Sequence, residues 1–145
     1  MSRRNTQLAA CGLILAIMTT IVPASAAEPI KVVYHLTEGL DQATRALGNI
    51  RNHLQAEPDT KIVVVTNGEG MRFLLAGARD RNGKLFDEPV VALAERGVEF
   101  RVCGNTLVAH QVPESRLLPQ AKIVTSGVVE ASRLQAREGY AYLRP

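Results

Sequence analysis

The run Lys61-Ile62-Val63-Val64-Val65-Thr66 constrains this chain more than any other stretch. β-Branched side chains crowd a helix and fit a pleated strand. A strand apolar at successive positions, rather than at alternate ones, has to be covered on both faces. Ile30 to Leu36 reads the same way, Val98 to Cys103 alternates as a third strand, and Ala121 to Thr125 is a fourth. Between them lie segments of helical character. Asp41 to Ala56 spaces Ala43, Ala46, Leu47, Ile50 and Leu54 along one face, with Pro58 beyond its end. Asn67-Gly68-Glu69-Gly70 is a tight turn into a short helix, Met71 to Ala78, and Arg79 to Lys84 is a polar loop. Glu88 to Arg96 is closed by Gly97, Gly104-Asn105-Thr106 offers a cap for a helical turn through His110, and Pro113 to Pro119 is a linker. A last helix, Gly127 to Glu138, ends at Gly139, and Tyr140 to Leu143 is placed to add a fifth strand.

Strictly alternating strands and helices imply one α/β domain with a mostly parallel sheet covered on both faces. Right-handed crossovers put the carboxyl ends of the strands on one edge, where open α/β sheets bind their ligands. That edge receives His35, Thr37 and Glu38 from the first strand, and Asn67, Gly68 and Glu69 from the second. The third brings Cys103, Gly104 and Asn105, and the fourth Thr125 and Ser126. The opposite edge, with Asp59 and Gly97, carries nothing comparable.

The amino terminus has a different logic. Arg3 and Arg4 precede the apolar run Leu8 to Val22, and Pro23 leads into Ala24-Ser25-Ala26. This is the layout of a cleaved secretory signal, residues 1–26, with the domain at 27–145. The apolar run is short of the roughly 20 residues of a membrane span. The reading is therefore export to the periplasm, with no membrane attachment once the signal is removed. Leu8-Ala9-Ala10-Cys11 imitates a lipoprotein box, but it begins the hydrophobic core instead of following it. Losing Arg3 and Arg4 brings the formal charge of +3 close to neutral. No basic stripe is left, and the full chain is only 4% aromatic, which argues against a nucleic-acid partner.

Cleavage also removes Cys11 and leaves Cys103 as the one thiol, so no internal disulfide is possible. A cysteine at a strand end, just before a helical turn, meets unpaired N–H groups that favour its thiolate. The alternative is a small buried hydrophobe that finishes a strand. His35 is a candidate proton partner or anion donor, against a satisfied turn histidine. His110 shares a helical face with Cys103 only if the helix persists, and Pro113 argues against that. No C-x-x-C or H-x-x-x-H pair supports a Cys103/His35/His110 metal site, so no metal or cofactor is expected. The turn at Asn67–Gly70 lacks the Walker lysine and the full dinucleotide pattern, and no G-x-S-x-G elbow surrounds Ser115, Ser126 or Ser132.

Val98-Glu99-Phe100-Arg101-Val102-Cys103-Gly104-Asn105-Thr106-Leu107 resembles the cysteine-bearing strand and turn of the DsrE/DsrF-like family. So do Ile123 to Glu130 and the ending Leu134-Gln135-x-x-Glu138-Gly139-Tyr140-Ala141-Tyr142. The resemblance covers nearly all of Ile30 to Pro145. It implies a three-layer α/β/α fold with a five-stranded sheet, a homotrimer or hexamer, and sulfur relay through a persulfide on the motif cysteine, Cys103. The relay members that it resembles are cytoplasmic, whereas this chain carries an export signal.

The functional expectation is a sulfur carrier or sulfurtransferase working through Cys103, exchanging sulfur with a donor or acceptor protein. Asn105 and backbone donors after Gly104 would stabilise the thiolate, and His35 would assist with protons. Thr37, Asn67, Gly68, Gly104 and Ser126 would line the pocket. The alternative is a non-enzymatic module that binds a small ligand or metal at the same edge.

Overall fold

The structure is a computed structural model that describes residues 28–145; the expected signal, residues 1–26, and Cys11 lie outside the described residues. Five strands form one sheet: β1 (Lys31–Leu36), β2 (Lys61–Thr66), β3 (Glu99–Cys103), β4 (Ala121–Val124) and β5 (Ala141–Leu143). Their order is β4-β3-β2-β1-β5, and every neighbouring pair is parallel. The helices are α1 (Leu40–Ala56), α2 (Asp87–Glu95), α3 (Gly104–Ala109) and α4 (Gly127–Glu138).

The strand order dictates the layers. From β1 to β4 the chain steps in one direction, so right-handed crossovers stack their helices on one face. The step from β4 back to β5 reverses direction and places α4 on the other. Side chains follow the period of two. Val32, Tyr34, Leu36, Ile62, Val64, Phe100 and Val102 pack under α1 and α2 in the larger core. Val33, Val63 and Val65 meet only Ala131 and Leu134 of α4, with Tyr140 beside them.

The region after β2 departs from expectation. In place of a helix over 71–78, a 3-10 helix runs over Gly68–Leu74 and begins inside the expected turn. Gly70 packs so tightly on β1 that a Cβ there would lie 2.2 Å from the Leu36 carbonyl oxygen. Beyond Leu74 the chain is captured by the segment expected to be a free linker. Leu118 N–H donates to Leu74 O at 2.9 Å, Ala76 N–H to Arg116 O at 2.8 Å, and Leu75 bridges Leu117. Those bonds replace the ones that would have extended a helix to Ala78.

Helix α3 stops at Ala109 with His110 as its C-cap, and Gln111 at φ 53° turns the chain away. Gly97 and Gly139 take the left-handed conformation after α2 and α4, at φ 88° and 73°.

Candidate functional site

Cys103 ends β3 and is itself the N-cap of α3, with extended backbone (φ −66°, ψ 115°), so the helix begins one residue after the sulfur. The backbone N–H groups of Gly127, Thr106 and Asn105 are near enough to favour the Cys103 thiolate, although the Asn105 N–H itself donates to Thr125 O at 3.4 Å. The Thr106 hydroxyl is a fourth donor. Two helices thus start at one sulfur. Burial, with Cys103 only 5% exposed, pushes the thiol pKa up, but the four donors pull it down by more. The thiol therefore sits below its ordinary range, the condition for a thiolate near neutral pH.

Each donor is fixed in turn. Thr106 Oγ1 accepts from Gly68 N–H at 3.0 Å, which leaves its own hydrogen for the sulfur. Gly68 lies at φ 56°, a conformation that glycine adopts without strain. Gly127 comes close because it has no side chain. A Cβ there would lie 3.1 Å from both Cys103 Cβ and Thr66 O, and 3.3 Å from Asn67 Cβ. Gly104 is tucked below β4, where a Cβ would stand 3.3 Å from Val124 O.

His35 is 8% exposed, and both ring nitrogens are engaged. Nδ1 pairs with Tyr142 Oη at 2.8 Å and Nε2 with Asn67 Oδ1 at 2.5 Å. Neither bond reaches Cys103.

The remaining expected residues divide. The Asn105 N–H donates to Thr125 O at 3.4 Å and its side chain is exposed; with Gly104 and Thr125 it lines an open cleft of about 640 Å³ between α3 and β4. Thr37 is tied to the carboxyl-terminal residues instead: its N–H donates to Gln42 Oε1 at 2.9 Å, and its hydroxyl accepts from Arg144 at 3.0 Å. Gly68 supports Thr106, and Ser126 is the N-cap of α4, its carbonyl accepting from Glu130 N–H at 3.0 Å. Thr37, Asn67, Gly68 and Ser126 do not line the cleft. His110 lies 3.5 Å from Glu69, not at the sulfur.

Thr106 and Gly127 are the site residues that sequence reasoning missed. Thr106 had a signal, being three residues beyond the cysteine, where an N-cap side chain finds its N–H partner. Gly127 had none, because its approach depends on α4 crossing back over the sheet. Among the described residues, no group of three His, Cys, Asp or Glu is placed to hold a metal ion, and no helix is long and apolar enough to cross a membrane.

The sequence profile of the DsrE/DsrF-like family matches residues 31–145. Among solved structures, a Methanobacterium thermoautotrophicum protein of unknown function, MTH1491, superposes with a TM-score of 0.71 at 32% identity. The match covers 80% of this chain and 99% of that one. The ychN protein of E. coli superposes at 0.65 with 14% identity, covering 81% and 99%, and shares the fold. No curated protein matches the chain.

Proposed function

Because the chain belongs to the DsrE/DsrF-like family, whose members are linked to sulfur relay, we propose that it carries sulfur as a persulfide on Cys103. The observation that supports this most is the place of Cys103, the N-cap of α3 packed against Gly127 at the start of α4, where the Thr106 hydroxyl and nearby backbone N–H groups hold its thiol below the ordinary range. Such an arrangement lowers the energy of a thiolate, both as nucleophile and as leaving group.

The proposed cycle needs no external oxidant or reductant. The Cys103 thiolate attacks the outer sulfur of a donor persulfide R–S–SH, and the S–S bond to R breaks. R–S⁻ departs with the bonding pair and takes up the proton, leaving Cys103–S–S⁻. An acceptor thiolate then attacks the outer sulfur, and Cys103 leaves as the thiolate that its donors favour. We place this exchange in the periplasm, in a homotrimer or hexamer. Val128 and Val129 of α4, 54% and 63% exposed, supply apolar surface for such an assembly.

The deep setting of Cys103 and the open cleft beside it favour one other reading, a binding module for a small ligand. Intact-protein mass spectrometry separates the two. After incubation with polysulfide, the chain is expected to gain one sulfur atom that dithiothreitol removes and that Cys103→Ser lacks. No adduct on Cys103, together with slow alkylation of the native thiol, would sink the carrier reading, make the thiol structural and leave the binding module to be tested by a ligand search.

A further inference from the structure

Building on that sulfur-carrier reading, we propose that Arg101 and Glu130 are positioning residues for Cys103: their ion pair clamps the first turn of α4 onto β3 and so holds Gly127 against the cysteine.

The contact between Gly127 and Cys103 has no slack. A Cβ on Gly127 would lie 3.1 Å from both Cys103 Cβ and Thr66 O, so only a helix pressed onto the strand ends brings the two residues together. A small lift of α4 would part them and draw the Gly127 N–H away from the thiol. What holds the helix down differs across the sheet. Over β1 and β2 the grip is apolar, with Ala131 and Leu134 packed on Val33, Val63 and Val65. That layer includes no residue of β3. Glu99, Arg101 and Cys103 share the α4 face of β3 by the period of two, and the tie there is Arg101 to Glu130.

The pair is placed to act as a clamp. Arg101 precedes Cys103 by one alternation, roughly 7 Å along the strand. Glu130 N–H donates to Ser126 O at 3.0 Å, so its backbone belongs to the turn that carries Gly127. The Arg101 and Glu130 side chains are only 16% and 12% exposed. A guanidinium fork accepts a carboxylate in few orientations, so a buried pair fixes geometry even where it adds little net stability. Arg101 also reaches Glu99 at 3.0 Å, which anchors the guanidinium on its own strand. Arg133 holds Glu130 at 2.8 Å, but from within α4, so it steadies the carboxylate without tying the helix to the sheet. Lys122 on Glu99 and Glu138 on Arg133 complete the network, with Tyr140 beside it. The shift at the thiol comes from burial and hydrogen-bond donors, with no charged side chain among its causes. The network therefore reaches Cys103 through position and not through its field.

The pH midpoint of iodoacetamide alkylation at Cys103, with sulfur uptake from polysulfide measured on the same samples, tests this. Arg101→Met/Glu130→Gln removes the tie at unchanged net charge. Its midpoint is expected to rise by about half a pH unit, part of the worth of one hydrogen bond to a charged group. Arg101→Lys, whose ammonium can still reach Glu130, should move it less, and Arg133→Met, which leaves the clamp in place, should not move it. Glu130→Gln alone weakens the tie and keeps the shape; its smaller rise serves where the double variant does not fold. An unmoved midpoint in the folded double variant, or in Glu130→Gln where that one alone folds, would overturn the proposal and leave the carrier reading standing. An equal rise in Arg133→Met would overturn it too, since any loss of charge pairing on α4 would then suffice. A raised midpoint in a chain that takes no sulfur would overturn the carrier reading and leave the clamp.

Discussion

The two faces of the sheet are built from different materials. Under α1 and α2 lies a continuous apolar layer in which Phe73 stacks edge-on against both Phe86 and Phe100, with ring centroids 5.9 and 6.1 Å away. Under α4 the apolar contact shrinks to three strand valines with Ala131 and Leu134, and then gives way to charge. Arg101 of β3 pairs with Glu130 of α4 and with Glu99, Arg133 ties Glu130 to Glu138, and His35 lies on the same side. The two faces divide the labour. The first face supplies the burial that holds the sheet together. The second tolerates polar groups, and there Cys103, Asn67 and His35 come together.

The division breaks most visibly if both faces prove equally costly to hollow out. Phe100→Ala, at a fully buried ring, is expected to destabilise the chain by about 3–5 kcal/mol. Val63→Ala, beneath α4, is expected to cost about 1–2 kcal/mol, since two methyl groups are lost from a thin layer. Urea midpoints at constant m-value measure both, and equal losses would contradict the division.

Arg101→Met sharpens the comparison at smaller cost. The guanidinium and Glu130 are only 16% and 12% exposed, and Arg133 would still hold the orphaned carboxylate, so about 1–3 kcal/mol is expected. The acid dependence should change with it. The Arg133 hydrogen bond holds the Glu130 carboxyl below its usual range, against the opposing effect of burial, and Arg101 adds to the lowering. A depressed folded pKa contributes stability that is fully present above the unfolded value, about 4.3. It is lost as pH falls through the lower folded one. Arg101→Met should therefore flatten the fall in stability below about pH 4. A wild-type stability that is level through that window would contradict the pairing.

Much of the first face was legible in the sequence, and little of the second. Ile62 and Val64, and the spacing of Ala43, Ala46, Leu47, Ile50 and Leu54, announce burial through local pattern alone, and the structure buries them all. Glu99 and Arg101 look like the solvent side of an alternating strand. Their partner, Glu130, is brought by a helix whose placement depends on the reversal of strand order at β4, which no local pattern records. The same reversal carries Gly127 to Cys103 and Tyr142 to His35. Cys103 was legible as a candidate because a strand end before a helical turn is a local feature. The 3-10 helix at Gly68–Leu74 was not, because the residues that stop it, Arg116 to Leu118, are distant in sequence.

If the fold favours the Cys103 thiolate, the pH dependence of its alkylation has to report it. Iodoacetamide rates, taken as the difference between the chain and its Cys103→Ser variant, should reach half-maximum below the ordinary thiol value of about 8.5. In Thr106→Val, which removes the hydroxyl donor and keeps the shape, the midpoint should rise by about one pH unit. A midpoint at or above the ordinary value, unmoved in Thr106→Val, would mean that burial outweighs the converging donors. Cys103 would then be a packing residue at the end of β3.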